Sequence, residues 1–134
     1  VEEKMTIQLT QHFNLSELRC KDGTAVPEHL VENAREICER AQVLRDELGK
    51  PLRVISGFRT PSHNARVGAR PTSLHVTARA LDLACTGMSA DQLAAAWRRL
   101  VLLERAPDGG LGVYPRKWGG WIHVDTGRPR RWRG

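Results

Sequence analysis

Seven positions separate His75 from Asp82, and that interval decides what the segment between them can be. On one continuous helix the two side chains would share a face but stand about 10 Å apart along the axis, at a rise of roughly 1.5 Å per residue. A single metal ion cannot bridge that gap, because its bonds to nitrogen and oxygen are about 2.0–2.2 Å long. If the two act together, the chain turns back between them, with His75 on a loop or turn and Asp82 on the strand that follows. The run Arg79-Ala80-Leu81-Asp82-Leu83 alternates polar and apolar residues, which predicts a half-buried strand.

Other segments supply the scaffold. Met5 to Leu9 alternates weakly and reads as an edge strand or arm within residues 1–12. Asn14-Leu15-Ser16-Glu17 has the pattern of a capping box and predicts a short helix ending near Cys20. The clearest helix starts at Pro27 and stops before Gly49, with Leu30, Ala34, Ile37, Cys38, Ala41, Leu44 and Leu48 on its apolar stripe. Pro51 to Gly57 is a β-rich run, and Thr60-Pro61 caps a short helix through about Val67. Ser89 opens a further helix with Gln92 at the capping-box position and Leu93, Ala96, Trp97, Leu100 and Val101 as its buried stripe. Pro107-Asp108-Gly109-Gly110 is a turn, and Leu111–Tyr114 and Trp121–Asp125 form a hairpin-like strand pair. The expectation is an α+β fold: one domain over residues 1–134, with helices packed on a small, mostly antiparallel sheet.

At 134 residues the chain is long enough to bury a core without disulfides. Its three cysteines, Cys20, Cys38 and Cys85, are an odd count without C-x-x-C spacing, which fits neither a zinc knuckle nor a disulfide scaffold. Cys38 is a core residue of the long helix; Cys20 and Cys85 are free to pair or not in an oxidising compartment. The formal net charge of +6 suits an anionic partner such as nucleic acid, a cell-wall polymer with acidic peptides, or anionic lipid. Arg128, Arg130, Arg131 and Arg133 concentrate that charge in the tail, residues 128–134, which reads equally as a solvated end or a contact surface. No apolar run approaches the roughly 20 residues that would span a bilayer. The first residues, Val1 to Met5, carry no secretory signal pattern.

The second cluster of chemistry lies in Trp121-Ile122-His123-Val124-Asp125-Thr126-Gly127. On a strand, His123 and Asp125 present to the same face. With His75 and Asp82 they make two imidazoles and two carboxylates. Three such ligands plus an open position is the arrangement of a catalytic zinc site, in which zinc brings the pKa of bound water to about 7 and polarises a carbonyl.

These residues also carry a family resemblance. Ser73, His75, Ala80 and Asp82 match the pattern S-x-H-x-x-G-x-A-x-D, and Ile55-Ser56-Gly57-Phe58-Arg59 matches an S-G-[YF]-R strand end, with Asn64 and Gly68 following. The piece from Gly110 through His123-Val124-Asp125-Thr126-Gly127 to Arg131-Trp132 resembles the branch ending H-V-D-T-G-x-x-R-x-W. In this order, over roughly residues 13 to 132, the motifs resemble the zinc D-Ala-D-Ala peptidases of family M15, in the larger group that includes hedgehog's zinc domain. The resemblance implies a hedgehog/D,D-peptidase-like fold and a Zn2+ ion held by His75, Asp82 and His123. It implies that Arg59 pairs with a substrate carboxylate or with the oxyanion of the tetrahedral intermediate, and that Ser73 contacts substrate or holds the His75 loop. The bland alternative for Arg59 is a structural salt bridge.

Two departures stand out. Ala78 occupies the family's glycine, a strained choice if its φ is positive. The positions where relatives carry a general base, three or two residues before the last ligand, hold Gly120 and Trp121. Asp125 is the candidate base, with an orienting role for that carboxylate weighed equally. Trp118 and Trp121 are candidates to line a substrate cleft, with at least one expected in hairpin packing.

The expected function is a zinc-dependent peptidase acting on peptidoglycan stem or cross-link peptides, as a D,D-carboxypeptidase or an endopeptidase. The alternative is a non-catalytic zinc-containing cell-wall binding module. A nucleic-acid role for the tail lacks any helix-turn-helix or aromatic RNA-binding pattern behind it. The expected setting is extracytoplasmic or phage-delivered, and the expected state a monomer.

Overall fold

The computed structural model of the protein describes residues 7–134. The start of the Met5–Leu9 arm therefore lies outside the described residues; its end pairs through an isolated bridge between Gln8 and Asn14. One five-stranded sheet organises the rest. Its strands are β1 (Arg53–Ser56), β2 (Ala80–Ala84), β3 (Gly110–Arg116), β4 (Gly119–Asp125) and β5 (Arg130–Arg133), in the order β1-β2-β4-β3-β5. All pairings are antiparallel except β3 with β5, so the sheet is mixed at one edge. The α+β class expected from the sequence holds.

Period-two alternation gives the sheet two unlike faces. Leu81, Leu83, Leu111, Val113, Ile122 and Val124 are buried in the core beneath the helices. Residues of opposite phase form a row across the other face: Ser56 pairs with Asp82, Asp82 with His123, His123 with Gly112, and Gly112 with Trp132. Strand β2 is buried throughout rather than half-buried, because chemistry-bearing neighbours cover its polar face.

The long helix α1 spans Val31–Leu48. Pro27 precedes a 3-10 turn, Glu28–Leu30, so the regular helix begins four residues later than its first-turn proline suggests. Ala34, Ile37, Cys38, Ala41 and Leu44 are buried, while Leu30 and Leu48 pack partly covered at the ends. Gly49 closes the helix at φ 64°, a left-handed conformation that glycine adopts without penalty. Burial pushes the Cys38 thiol up to about 12, as expected for a sulfur used only as a small apolar group.

Helix α2 (Pro61–Arg66) is capped by the Thr60 hydroxyl, and α3 (Ala90–Leu102) by a complete capping box between Ser89 and Gln92. Ala90, Leu93, Ala94, Trp97 and Leu100 face the core; Ala96 and Val101 are only partly covered. The Asn14–Glu17 box caps a single 3-10 turn, Leu15–Leu18, not a helix reaching Cys20.

The tail is the main correction. Residues 130–133 form β5 beside β3, and their charges are met internally: Arg130 by Asp125, Arg131 by Asp108 at 2.8 Å and Arg133 by Asp91 at 2.8 Å. All three cysteines are free and buried, with no pairing of Cys20 and Cys85.

Candidate metal centre

The site assembles from the row just described. Cross-strand neighbours on one face of an antiparallel pair lie about 4.5–5.5 Å apart at Cβ. The register Asp82↔His123 therefore sets a carboxylate beside an imidazole by backbone pairing alone. His75 arrives from the 3-10 turn Leu74–Thr77, whose first amides are capped by Ser73: the His75 N–H donates to Ser73 Oγ at 3.3 Å. Ala78 ends that turn at φ 58°, ψ 31°, so the chain reverses through a left-handed alanine where the family pattern has glycine. This is the strained case, costing about 1–2 kcal/mol for an L-residue. The reversal returns the chain into β2 and delivers Asp82 to His75, as their spacing demands.

The imidazoles are oriented from behind. His75 Nδ1 lies 2.6 Å from the Gly57 carbonyl, which can only accept, so Nδ1 donates there and Nε2 is the nitrogen that faces the site. His123 Nε2 lies 2.7 Å from Asp125 Oδ2, also an acceptor, leaving His123 Nδ1 to face the site. Both site-facing nitrogens point at one oxygen, Asp82 Oδ1, at 3.2 and 3.1 Å. Lone pairs converging on an ionised carboxylate repel unless a cation or proton lies among them. The three donor atoms fall within 4.8 Å of one another. The donor set and its fixed tautomers fit a zinc-type ion.

The electrostatics agree. Burial alone would raise the Asp82 carboxyl, but hydrogen bonds to His123 and His75 and the charge they can carry outweigh it and hold the group well below the usual carboxylate range. Burial would lower His123, but its bonds to Asp125 and Asp82 leave it more basic than an ordinary imidazole.

Asp125 shares the face of His123, as strand periodicity predicts, but lies behind the ring. Its carboxylate is fully buried and accepts from the amides of Gly110 (3.0 Å) and Gly127 (2.9 Å) and from Arg130 Nη2 (2.7 Å), besides His123. Burial raises this carboxyl, and the bonds to His123, Arg130 and Gly127 bring it down below the usual range.

Arg59 lies beside the cluster, with Nη2 3.6 Å from Asp82 Oδ2. Its Nε donates to Ser56 Oγ and its Nη1 to the buried Asn64 Oδ1. Together Arg59, Arg70, Arg128 and Arg130 give a basic lining to a cleft of about 1130 Å³, with Ser73, His75, Asp82 and His123 at its floor. Trp121 lines the same cleft, stacked on Tyr114 at 5.3 Å and with the Arg116 guanidinium 4.5 Å from its ring centroid. Trp118 projects from the β3–β4 hairpin, almost fully exposed, and takes no part.

Four contributors were not visible as site residues in the sequence: the Gly57 carbonyl, Tyr114, Arg130 and Trp132. Trp132 packs against His123 at 5.0 Å and donates from Nε1 to the Tyr114 hydroxyl. The R-x-W end of the H-V-D-T-G-x-x-R-x-W pattern, which falls on Arg130 and Trp132, is the signal that could have found the last two. Gly112 makes room for that indole, since a Cβ there would overlap the Trp132 ring. Gly112→Ala is expected to cost about 1–3 kcal/mol by overpacking and to weaken zinc binding by releasing the brace on His123. Urea unfolding and zinc titration measure the two effects.

The fold and site together define a candidate metal centre: a His-Asp-His cluster that lines a cleft. The chain matches the family model described as Peptidase M15 over residues 11–125 and belongs to that family. It is similar to the peptidoglycan L,D-endopeptidase MepK of Escherichia coli (strain K12), 34% identical over 88 residues that make up 62% of this chain and 44% of the relative. The probable peptidoglycan L,D-endopeptidase MepK of Haemophilus influenzae is 32% identical over 88 residues, 62% of this chain and 43% of that protein. The chain thus spans less than half the length of these curated relatives. Among solved structures, the Serratia marcescens L-Ala D-Glu endopeptidase ChiX aligns with 74% of this chain and 87% of its own, at 22% identity and a TM-score of 0.47.

Proposed function

We propose that this chain is a zinc-dependent peptidase that hydrolyses peptidoglycan stem or cross-link peptides, of the endopeptidase type carried in the names of its relatives or of the D,D-carboxypeptidase type. The observation that carries the reading is the convergence of two site-facing imidazole nitrogens on Asp82 in a cleft lined by arginines. His75, Asp82 and His123 would hold Zn2+, whose Lewis acidity would polarise the scissile carbonyl and acidify water. Arg59, held by Ser56 and Asn64, would offer a guanidinium edge to a substrate carboxylate or the developing oxyanion. Arg70 and Arg128 suit the acidic stem peptides of the wall polymer. Ser73 would hold the His75 turn, and Trp121 would offer a flat apolar face to substrate. In this reading Asp125 orients His123 and keeps its Nε2 protonated, the alternative to its acting as a base. Action would be extracytoplasmic, on the wall, or phage-delivered, by a monomer; among the described residues no helix is long and apolar enough to cross a membrane.

One observation favours the second reading, a zinc-containing wall-binding module. Among the described residues lining the cleft, the only carboxylates and imidazoles are the three ligands and Asp125. The family's base position is also closed at Gly120, where φ is 91° and a Cβ would overlap the Tyr114 carbonyl. Purified peptidoglycan incubated with zinc-loaded protein, with and without a chelator, separates the two. New muropeptides that disappear with chelation identify the peptidase and its bond. Zinc binding without product from any wall type would leave the binding module.

A further inference from the structure

A second group of side chains of metal-ligand type, Cys20, Asp22 and His63, lies outside the lining of the cleft. The turn Cys20–Thr24 is closed by the Cys20 N–H to the Thr24 carbonyl at 2.9 Å and the Gly23 N–H to the Cys20 carbonyl at 2.9 Å. It presents the Cys20 sulfur and the Asp22 carboxylate toward the start of α2. There the Thr60 hydroxyl donates to Asp22 Oδ2 at 2.8 Å, and the Thr60 N–H donates to Cys20 Sγ at 3.5 Å. One turn into α2, His63 completes the group: a ligand atom each from Cys20, Asp22 and His63 fall within 4.8 Å of one another. His63 Nδ1 is shielded from solvent and has no hydrogen-bond partner among the described residues. A buried imidazole nitrogen left without a partner is destabilising, so a ligand to it is the simplest account of its position.

We propose that Cys20, Asp22 and His63 form a second metal site, for a borderline divalent cation of the zinc type. The chemistry of the donors sets the class. One thiolate, one imidazole and one carboxylate suit zinc, whereas magnesium and calcium take all-oxygen shells. The donors span 44 positions of sequence, from Cys20 to His63, so the ion would clamp the Cys20–Thr24 turn to α2. No other cysteine competes for the sulfur, since all three thiols are free. Asp22 is exposed and gives the ion a route in, while Cys20 is only 2% exposed and closes the inner side. The Asp22 carboxylate is held in place by the Thr24 N–H at 2.9 Å and the Thr60 hydroxyl at 2.8 Å. The clamp lies next to the active wall: Arg59 precedes Thr60 in the chain, and Asn64, which holds Arg59 Nη1, follows His63.

The sulfur gives the test its specificity, because the cleft centre has none. The whole chain is loaded with Co2+, and its metal content and absorption are recorded beside His75→Ala, Cys20→Ser and His63→Gln. Two equivalents are expected in the unmodified chain, with a near-ultraviolet thiolate-to-cobalt band. His75→Ala should lose one equivalent and keep the band; Cys20→Ser and His63→Gln should each lose the other equivalent and the band. Circular dichroism checks folding, and His63→Gln decides alone if Cys20→Ser does not fold. A single equivalent with no thiolate band in the unmodified chain, or a band that persists in a folded His63→Gln, overturns the proposal.

Discussion

Asp125→Ala is expected to remove about 3–5 kcal/mol of stability, the cost of breaking a buried ion pair by deleting one partner. In a domain holding some 5–15 kcal/mol in total, that is a large fraction. The deletion leaves three kinds of donor without their acceptor: the Gly110 and Gly127 amides, the Arg130 guanidinium and the His123 Nε2–H. Arg130 keeps some contact with solvent, which places the loss toward the lower end. The same deletion frees the His123 ring to rotate and exchange tautomers, and zinc affinity should fall about 10–100-fold. Urea unfolding and competitive zinc titration measure these. Asp125→Asn separates the two roles weighed for this residue. An orienting carboxylate predicts weakened zinc binding in the asparagine variant; a base predicts lost turnover with zinc affinity unchanged.

His75→Ala should lower turnover at least about a thousandfold, the rate equivalent of several kcal/mol of Lewis-acid stabilisation. Two donors remain, Asp82 and His123, and two cannot hold a zinc ion against water as three do. The fold should survive, because the turn is set by Ser73 and by the Arg59 N–H bond to the His75 carbonyl, none of which needs the ring. The unpaired Gly57 carbonyl costs about 1–3 kcal/mol. Muropeptide analysis with circular dichroism on the same sample distinguishes lost chemistry from lost structure. Wild-type turnover in a folded His75→Ala protein would exclude this cluster as the catalytic centre.

Parts of the cluster were legible because they rest on local intervals, whereas the register that sets His123 beside Asp82 joins strands 41 residues apart. A seven-residue interval forced a reversal, alternation placed Asp82 on a strand, and the two-residue interval put His123 and Asp125 on one face. Helices α1 and α3 were legible for the same reason, through stripes at three and four. Two other things were not local. Strand β5 pairs in parallel with β3, Gly110 against Arg130, across a separation of twenty residues. Its composition of arginines reads as a solvated tail until the carboxylates of Asp91, Asp108 and Asp125 are known to be opposite. The side on which Asp125 stands was equally hidden. Periodicity tells that two side chains share a face, but not which nitrogen of an imidazole each neighbour meets.

The placement of β5 has a consequence for how the protein comes into being. Arg130 and Trp132 brace His123 and its partner Asp125 from positions that follow them in the chain, so they leave the ribosome after His123 and Asp125 do. Until they dock, the Asp125 carboxylate lacks its arginine and the His123 ring lacks the indole beside it. During synthesis the chain therefore carries all three candidate ligands before it can hold them in working order. A nascent or clipped chain ending short of Arg130 would carry His75, Asp82 and His123 without the guanidinium and indole that hold the last of them.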